Sequence, residues 1–285
     1  SWKKLKMALK LVQGIRNKWL SWTVLFAVTI SLLYSCVYYD YQRRIATFRY
    51  SLDSNQREVL QEIVEVLLSI VEKEKIIYFL YAGSLLGSYR HHDIIPWDDD
   101  VDIMIPQSQA ELLKNAIIKS GDFGILTDLL PAWKIYKVKS YDIVNGFAPF
   151  GFFPWKYPFI DVFFYEDEGD MIRDNCPIWV RDNRFYKDDF FPLTKRPFFG
   201  RMMNAPRRTK KLLNIMYRLN TCVTPDMKHS SEIKSIWQLS EECSRLHKFF
   251  PFVHRYDTEK GINETLKIDG KVISWWLEPK DIQDT

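Results

Sequence analysis

Cysteine is scarce, four residues in 285, with no CxxC pair, which argues against a zinc site. Internal repeats and low-complexity stretches are absent. Acidic residues are missing from positions 1–18, where Lys3, Lys4, Lys6, Lys10, Arg16 and Lys18 stand. Charge of either sign is then missing from Trp19 to Tyr39, WLSWTVLFAVTISLLYSCVYY. Removing the six tail cations from the net charge of +4 leaves the remainder at −2. The basic balance is thus a property of the tail and makes no case for nucleic-acid binding.

At 1.5 Å per residue the uncharged run spans roughly 30 Å, the thickness of a bilayer's hydrocarbon core. It is long for a signal peptide's apolar region, and no small-x-small cleavage site follows, so a membrane anchor is expected. Trp19 and Trp22 at one end and Tyr34, Tyr38 and Tyr39 at the other fit interfacial belts. The cations lie before the span, which predicts a cytosolic tail (1–18), a transmembrane helix (19–39), a stem (40–53) and a luminal remainder, a type II arrangement. The chain begins at Ser1, so an initiator Met is expected upstream. Asn263-Glu264-Thr265 is a glycosylation sequon. Cys176, Cys222 and Cys243 can form one disulfide in an oxidising lumen, with three pairings open; Cys36 lies inside the span.

The stretch that organises the rest is Tyr81 to Pro106, YAGSLLGSYRHHDIIPWDDDVDIMIP. It reads as strand, Gly-Ser turn, short helix, loop and acidic strand. In an extended chain Asp98, Asp100 and Asp102 project to one face, with Val101, Ile103 and Ile105 on the other. Carboxylates this close repel one another unless a divalent cation neutralises them, and hard oxygen ligands suit Mg²⁺ or Mn²⁺. A solvated acidic loop is the bland alternative, but the run leads straight into the apolar Val-Asp-Ile-Met-Ile. An EF-hand loop would need Gly and Glu where Ile103 and Gln109 stand. The DxD of a Golgi glycosyltransferase expects a sizeable βαβ half before the motif, and only one helix and one strand fit there.

The segment GSLLGSYRHHDIIPWDDDVDI resembles the signature of the LicD family, which includes the fukutin and fukutin-related proteins and belongs to the polymerase-β-like nucleotidyltransferases. DDFFPLTKRPFFGRMMNAPRRTKKLLNIMYR, from Asp188 to Arg218, resembles the family's second block. The resemblance covers about residues 54–225, with 226–285 as a C-terminal extension. It implies an α+β fold, a nucleotidyltransferase-like mixed β-sheet core flanked by helices. It further implies a metal site and catalytic group formed by Asp100, Asp102 and a third carboxylate, Asp161; beside them Asp98 and Asp99 stand as further ligands or as orienting groups. Gly83 and Ser84 would cradle phosphates at a helix start, and Arg90 would meet the nucleotide's phosphates. The activity implied is metal-dependent transfer of a phospho-alcohol group, of phosphocholine or ribitol phosphate type, from a CDP-activated donor to a glycan hydroxyl in the Golgi or endoplasmic reticulum. A catalytically inactive glycan-binding scaffold on the same fold is the alternative from another class, and a glycosyltransferase using its DxD a third.

Elsewhere the readings are structural. Val59, Leu60, Ile63, Val64, Leu67, Ile70 and Val71 predict an amphipathic helix opening at Ser54. Ile76 to Tyr81 predicts a buried strand, and Pro106 to Ser120 a helix with Leu112, Leu113, Ile117 and Ile118 inward. Phe123 to Val138 reads as strands broken at Pro131, and the aromatic, Pro- and Gly-rich stretch 141–159 as irregular chain able to stack a base or surround a choline ammonium. FIDVFFY, Phe159 to Tyr165, predicts a strand in which a lone Asp161 needs its charge compensated. His91 and His92 are weaker substrate contacts. Leu212, Leu213, Met216 and Tyr217 form a helical apolar face, and Asp269-Gly270 reads as a hairpin turn.

Overall fold

The structure, a computed structural model, describes residues 2–127, 132–143, 153–176 and 184–279. Two compact units divide the chain at Phe48 and Arg49. In the first, α1 (Trp2–Thr47) contains Lys18–Thr47, with mean hydropathy 1.9 over its most apolar window; among the described residues it is the one helix long and apolar enough to cross a membrane. The expected stem is partly helical, because residues 40–47 contain neither Pro nor Gly to stop the turn.

The second unit opens with α2 (Ser54–Lys73), whose Leu60, Ile63, Val64, Leu67 and Val71 are buried as their spacing predicts. Its cap is Asp53 rather than Ser54. The Asp53 carboxylate accepts the Gln56 N–H at 2.8 Å while the Gln56 side chain takes the Asp53 N–H at 3.1 Å, so two orphan donors are satisfied at once. The apolar run that follows keeps only β1 (Phe79–Leu80) in a ladder. Next come α3 (Ala82–His91), β2 (Val101–Pro106), α4 (Ala110–Ser120), β3 (Phe123–Leu126), β4 (Trp133–Asp142), β5 (Lys156–Asp167), β6 (Met171–Asp174) and β7 (Arg184–Tyr186). In α4 only one narrow stripe is covered. Leu113 and Ile117 are buried, whereas Leu112 and Ile118 are 41% and 58% exposed, contrary to the expected four-residue face.

These strands build one mixed sheet in the order β1-β2-β5-β4-β3, extended through β6 and β7. Only β2 and β5 run parallel; every other pair is antiparallel. The apolar run after Asp161 is the interior of β5, which lies between β2 and β4 and is buried from Tyr157 to Tyr165. Phe79, Tyr81, Met104, Phe163, Tyr165 and Phe190 pack together in one core cluster. Much of the irregular stretch, 144–152, and the break at Pro131 lie outside the described residues.

The chain continues through the hairpin β8 (Thr194–Phe198) and β9 (Arg201–Ala205) to α5 (Thr209–Met216), whose Leu212 and Leu213 are buried. A long irregular hairpin follows, made of β10 (Thr221–Val223), β11 (Met227–Lys228), β12 (Ile233–Lys234) and β13 (Ser240–Glu242). The Cys222–Cys243 disulfide closes its base, which selects one of the three open pairings and leaves the buried Cys176 outside it. Last comes a three-stranded sheet of β14 (Phe252–Thr258), β15 (Gly261–Ile268) and β16 (Lys271–Pro279). Its final turn is at Asp269-Gly270, both at positive φ (46° and 76°), the backbone a tight two-residue turn needs.

This sheet is fastened by buried charge. Arg196, fully buried, pairs with Glu264 at 2.7 Å and with Glu278 at 2.7 Å. Glu264 also takes His92 Nε2 at 2.8 Å and Arg255 at 2.8 Å. Burial alone would raise the Glu264 carboxyl, but Arg196, the His92 hydrogen bond and Arg255 bring it down to about 2. Asn263 stands on the central strand, half-buried, rather than in the surface loop such acceptors favour.

Candidate functional site

Strand register places the acidic groups. In the parallel β2–β5 pair Asp102 lies directly beside Asp161, and in the antiparallel β4–β5 pair Asp161 lies directly beside Lys134. Residues abreast on neighbouring strands share a sheet face, so two carboxylates and an ammonium form a row. Asp100, in the loop before β2, completes the group: one ligand oxygen each from Asp100, Asp102 and Asp161 lie within 4.8 Å of one another.

The start of α3 shapes the other side. Ser84 is tied to Asp102 twice: the Asp102 N–H donates to Ser84 Oγ at 2.8 Å, and the Ser84 N–H donates to Asp102 Oδ2 at 3.2 Å. Ser84 therefore positions a carboxylate, and its N–H is not the open phosphate donor that sequence reading expects. At Gly83 a Cβ would stand 3.0 Å from Asp98 Oδ2 and 3.1 Å from Asp102 Oδ2, so only glycine leaves both carboxylates their place. Asp98 thus joins the group although the strand begins only at Val101.

Arg90 does not reach the group's phosphate side. It is 6% exposed, and its Nε and Nη2 donate to the carbonyls of Leu219 (3.1 Å), Arg218 (3.1 Å) and Thr221 (2.8 Å). His91 and His92 are likewise spent on the C-terminal segment: His91 Nδ1 sits 2.6 Å from the Pro251 carbonyl, and His92 pairs with Glu264.

Three residues that sequence reading missed complete the site. Lys134 Nζ lies 2.8 Å from Asp161 Oδ1 and 3.6 Å from the centroid of the Phe159 ring, and is buried. His229 Nε2 lies 3.3 Å from Asp100 Oδ2, its Nδ1 3.5 Å from Glu232 Oε1, and its ring meets Phe159 edge-on. Tyr157 donates its hydroxyl to Asp99 Oδ2 at 3.2 Å. Lys134 is one of three lysines in β4, WKIYKVKSYD, so nothing local singled it out. His229 had no signal either, since it sits more than a hundred residues from the acidic motif on the β11–β12 turn.

Electrostatically the site is short of positive charge. Asp98, Asp99, Asp100, Asp102 and Asp161 crowd together, and Lys134 and His229 are the cations placed against them. Burial, then Asp100 and its acidic neighbours, hold the carboxyls of Asp98 and Asp102 well above the ordinary range. Burial pushes Asp99 up to about 6, and Asp161 to about 6 despite the Lys134 ammonium. Burial opposes the charged form of His229, yet Asp100, Glu232 and Asp99 carry it up to about 10. Asp99 Oδ1 is buried without a hydrogen-bond partner. An oxygen-only donor set, a surplus of buried negative charge, an orphaned carboxylate oxygen and a glycine that keeps the space open all fit a divalent cation of the Mg²⁺ or Mn²⁺ kind.

The sequence model for the LicD/FKTN/FKRP nucleotidyltransferase domain matches residues 75–208, which include Gly83, Asp98, Asp100, Asp102, Lys134 and Asp161. Residues 75–208 are a LicD-family domain. Among curated relatives, the ribitol 5-phosphate transferase FKRP of Mus musculus is 27% identical over 172 residues, covering 59% of this chain and 33% of that protein. The lipopolysaccharide cholinephosphotransferase LicD of Haemophilus influenzae is 37% identical over 54 residues, 19% of this chain and 20% of that protein. The chain spans about a third of the length of the FKRP proteins it matches. Among solved structures, the lincomycin-bound lincosamide antibiotic adenylyltransferase LnuA covers 54% of this chain and 85% of its own at 13% identity, with a TM-score of 0.34, too low to carry weight. The family match ends at residue 208, so Tyr217 and the hairpin bearing His229 lie beyond it. Burial and the charges of Asp102, Asp98 and Asp100 raise the Tyr217 phenol.

Proposed function

We propose that this chain is a divalent-cation-dependent phosphotransferase that moves a phospho-alcohol group, of phosphocholine or ribitol phosphate type, from a CDP-activated donor to a glycan hydroxyl. The observation that carries the reading is the register of β2, β5 and β4, which sets Asp102, Asp161 and Lys134 abreast with Asp100 beside them. The LicD-family domain and two relatives, a ribitol 5-phosphate transferase and a cholinephosphotransferase, support the phospho-alcohol chemistry.

Asp100, Asp102 and Asp161 would hold Mg²⁺ or Mn²⁺, with Asp98 as a further ligand. When bound, such a cation offsets charge on a nucleotide's phosphates and on the attacking and leaving oxygens. The chain's own groups do the rest. Ser84 holds Asp102 in place, and Gly83 keeps its space free. Lys134 holds Asp161 by both oxygens, at 2.8 and 3.1 Å. Asp161, on the buried face of the sheet, is assigned the proton of the acceptor hydroxyl. His229 holds Asp100 from the hairpin, so the entry side of the site is set by a segment outside the matched family residues.

A luminal, type II placement in the Golgi or endoplasmic reticulum belongs to the same proposal. It is supported by the single apolar helix and by the Cys222–Cys243 pair, which suits an oxidising compartment. The test is to incubate the whole chain, solubilised in detergent, with CDP-choline, CDP-ribitol, UDP-sugars and GDP-sugars, with and without Mn²⁺, and follow nucleotide release. Mn²⁺-dependent CMP release that an Asp100→Asn/Asp102→Asn variant lacks supports the transferase; release of UDP or GDP points to a glycosyltransferase, and no release together with no nucleotide binding to a scaffold.

A further inference from the structure

Arg90 has a second aspect. A buried guanidinium is costly unless carboxylates answer its charge, yet its described partners are three backbone carbonyls, and its Nη1 meets only the Cys222 sulfur, at 3.7 Å. Disulfide sulfur is a weak acceptor, so that edge of the fork keeps donor capacity. Burial lowers the Arg90 pKa to about 10, which still leaves it charged at neutral pH.

That side chain lines a cavity of about 410 Å³, whose other polar walls are Lys210 and Asn214 of α5, Asn220, His247 and Arg255. No Asp or Glu lines it, and none of the acidic cluster's residues does. Arg255 is answered by Glu264 at 2.8 Å, whereas Lys210, Asn214 and Asn220 are exposed. The cavity thus presents nitrogen donors, with one buried positive charge that no carboxylate answers, Arg90, and an exposed one, Lys210. Tyr89 and Phe252 supply apolar wall.

We propose that this cavity is an oxyanion-binding site, separate from the acidic cluster, that takes a phosphate or sulfate group. The Nη1 end of the guanidinium offers its N–H donors to an oxygen of such a group, and the exposed Lys210 adds a mobile point charge. A volume in the range of small-molecule sites also admits a body the size of one sugar behind the anion. The site stands apart from the transfer reading, and neither requires the other.

The test is calorimetric titration of the detergent-solubilised whole chain, freed of divalent cations by a chelator, at constant ionic strength set with chloride. Two probes are used, inorganic phosphate and glucose 6-phosphate. Lys210→Glu reverses a charge at an exposed position and leaves the fold alone; Asp100→Asn/Asp102→Asn disarms the other site. The expected result is one saturable site per chain, weakened at least about tenfold by Lys210→Glu, a change of about 1.4 kcal/mol, and unaltered by the Asp pair. Equal affinity for both probes identifies a free anion as the ligand, and tighter glucose 6-phosphate binding an ester-borne one. No saturable binding of either probe overturns the proposal, as does binding that Lys210→Glu leaves unchanged or that the Asp pair abolishes.

Discussion

Replacing Glu264 by Gln tests how the C-terminal sheet is held. Glu264 is completely buried and accepts from Arg196, His92 and Arg255. Its carboxyl is held at about 2, against an ordinary value of 4.5. A shift of that size is worth about 3 kcal/mol at 1.36 kcal/mol per unit, an order-of-magnitude figure for a coupled cluster. Because the folded value is depressed, the stabilisation is fully present above pH 4.5 and is lost as pH falls towards 2. Glu264→Gln leaves Arg196 its bond to Glu278 but removes the central charge, and breaking such a buried network costs about 3–5 kcal/mol. Urea unfolding followed by tryptophan fluorescence, wild type beside variant across pH 7 to 2, reads the difference directly. Carboxylates common to both proteins cancel, so the gap is expected to be several kcal/mol at pH 7 and to narrow steadily below pH 4.5. A gap that stays constant down to pH 2 would show that the carboxylate charge is not what fastens the sheet.

Other outcomes follow from the site. Cys222→Ser with Cys243→Ser opens a loop with sequence separation 21, and should cost roughly 3 kcal/mol by chain entropy; it should also lower nucleotide release, because the hairpin carrying His229 loses its clamp. Lys134→Met leaves Asp161 buried without its ammonium, so the melting temperature should fall by an amount corresponding to about 3–5 kcal/mol, and Mn²⁺ should restore more of it than it adds to wild type. Gly83→Ala places a methyl 3.0 Å and 3.1 Å from two carboxylate oxygens; calorimetry should find Mn²⁺ binding weakened at least about tenfold while circular dichroism is unchanged, since the pressed groups are ligands rather than core.

The sequence was legible where local chemistry is periodic. Apolar spacing marked α2, the bare run marked the apolar portion of α1, and Asp269-Gly270 marked the last turn. The acidic motif was legible because Asp100, Asp102 and Asp161 each interrupt or border apolar strand residues, an arrangement that a fold tolerates only with compensation. Lys134 shows the limit of that reasoning: part of the compensation for Asp161 comes from a neighbouring strand, and cross-strand register is not written locally. Arg90 was misplaced for the same reason. Its neighbours in sequence are the site's, but its partners lie at 218–222, reached only through tertiary packing. His229 and the buried Arg196 network likewise depend on long-range contacts that no local pattern announces. The cap at Asp53 rather than Ser54 was a local error, one residue wide, in which the Gln56 half of the capping box was the overlooked clue.

The register-built carboxylate group is proposed to make this chain a cation-dependent transferase. The most direct measurement is CMP release from CDP-choline and CDP-ribitol by the whole chain, titrated with Mn²⁺, beside Asp100→Asn/Asp102→Asn. The account predicts saturable, Mn²⁺-dependent CMP release from one of these donors and none from the variant. Release that persists without Mn²⁺ or in the variant would contradict it, and so would a wild-type chain that neither binds nor turns over either donor.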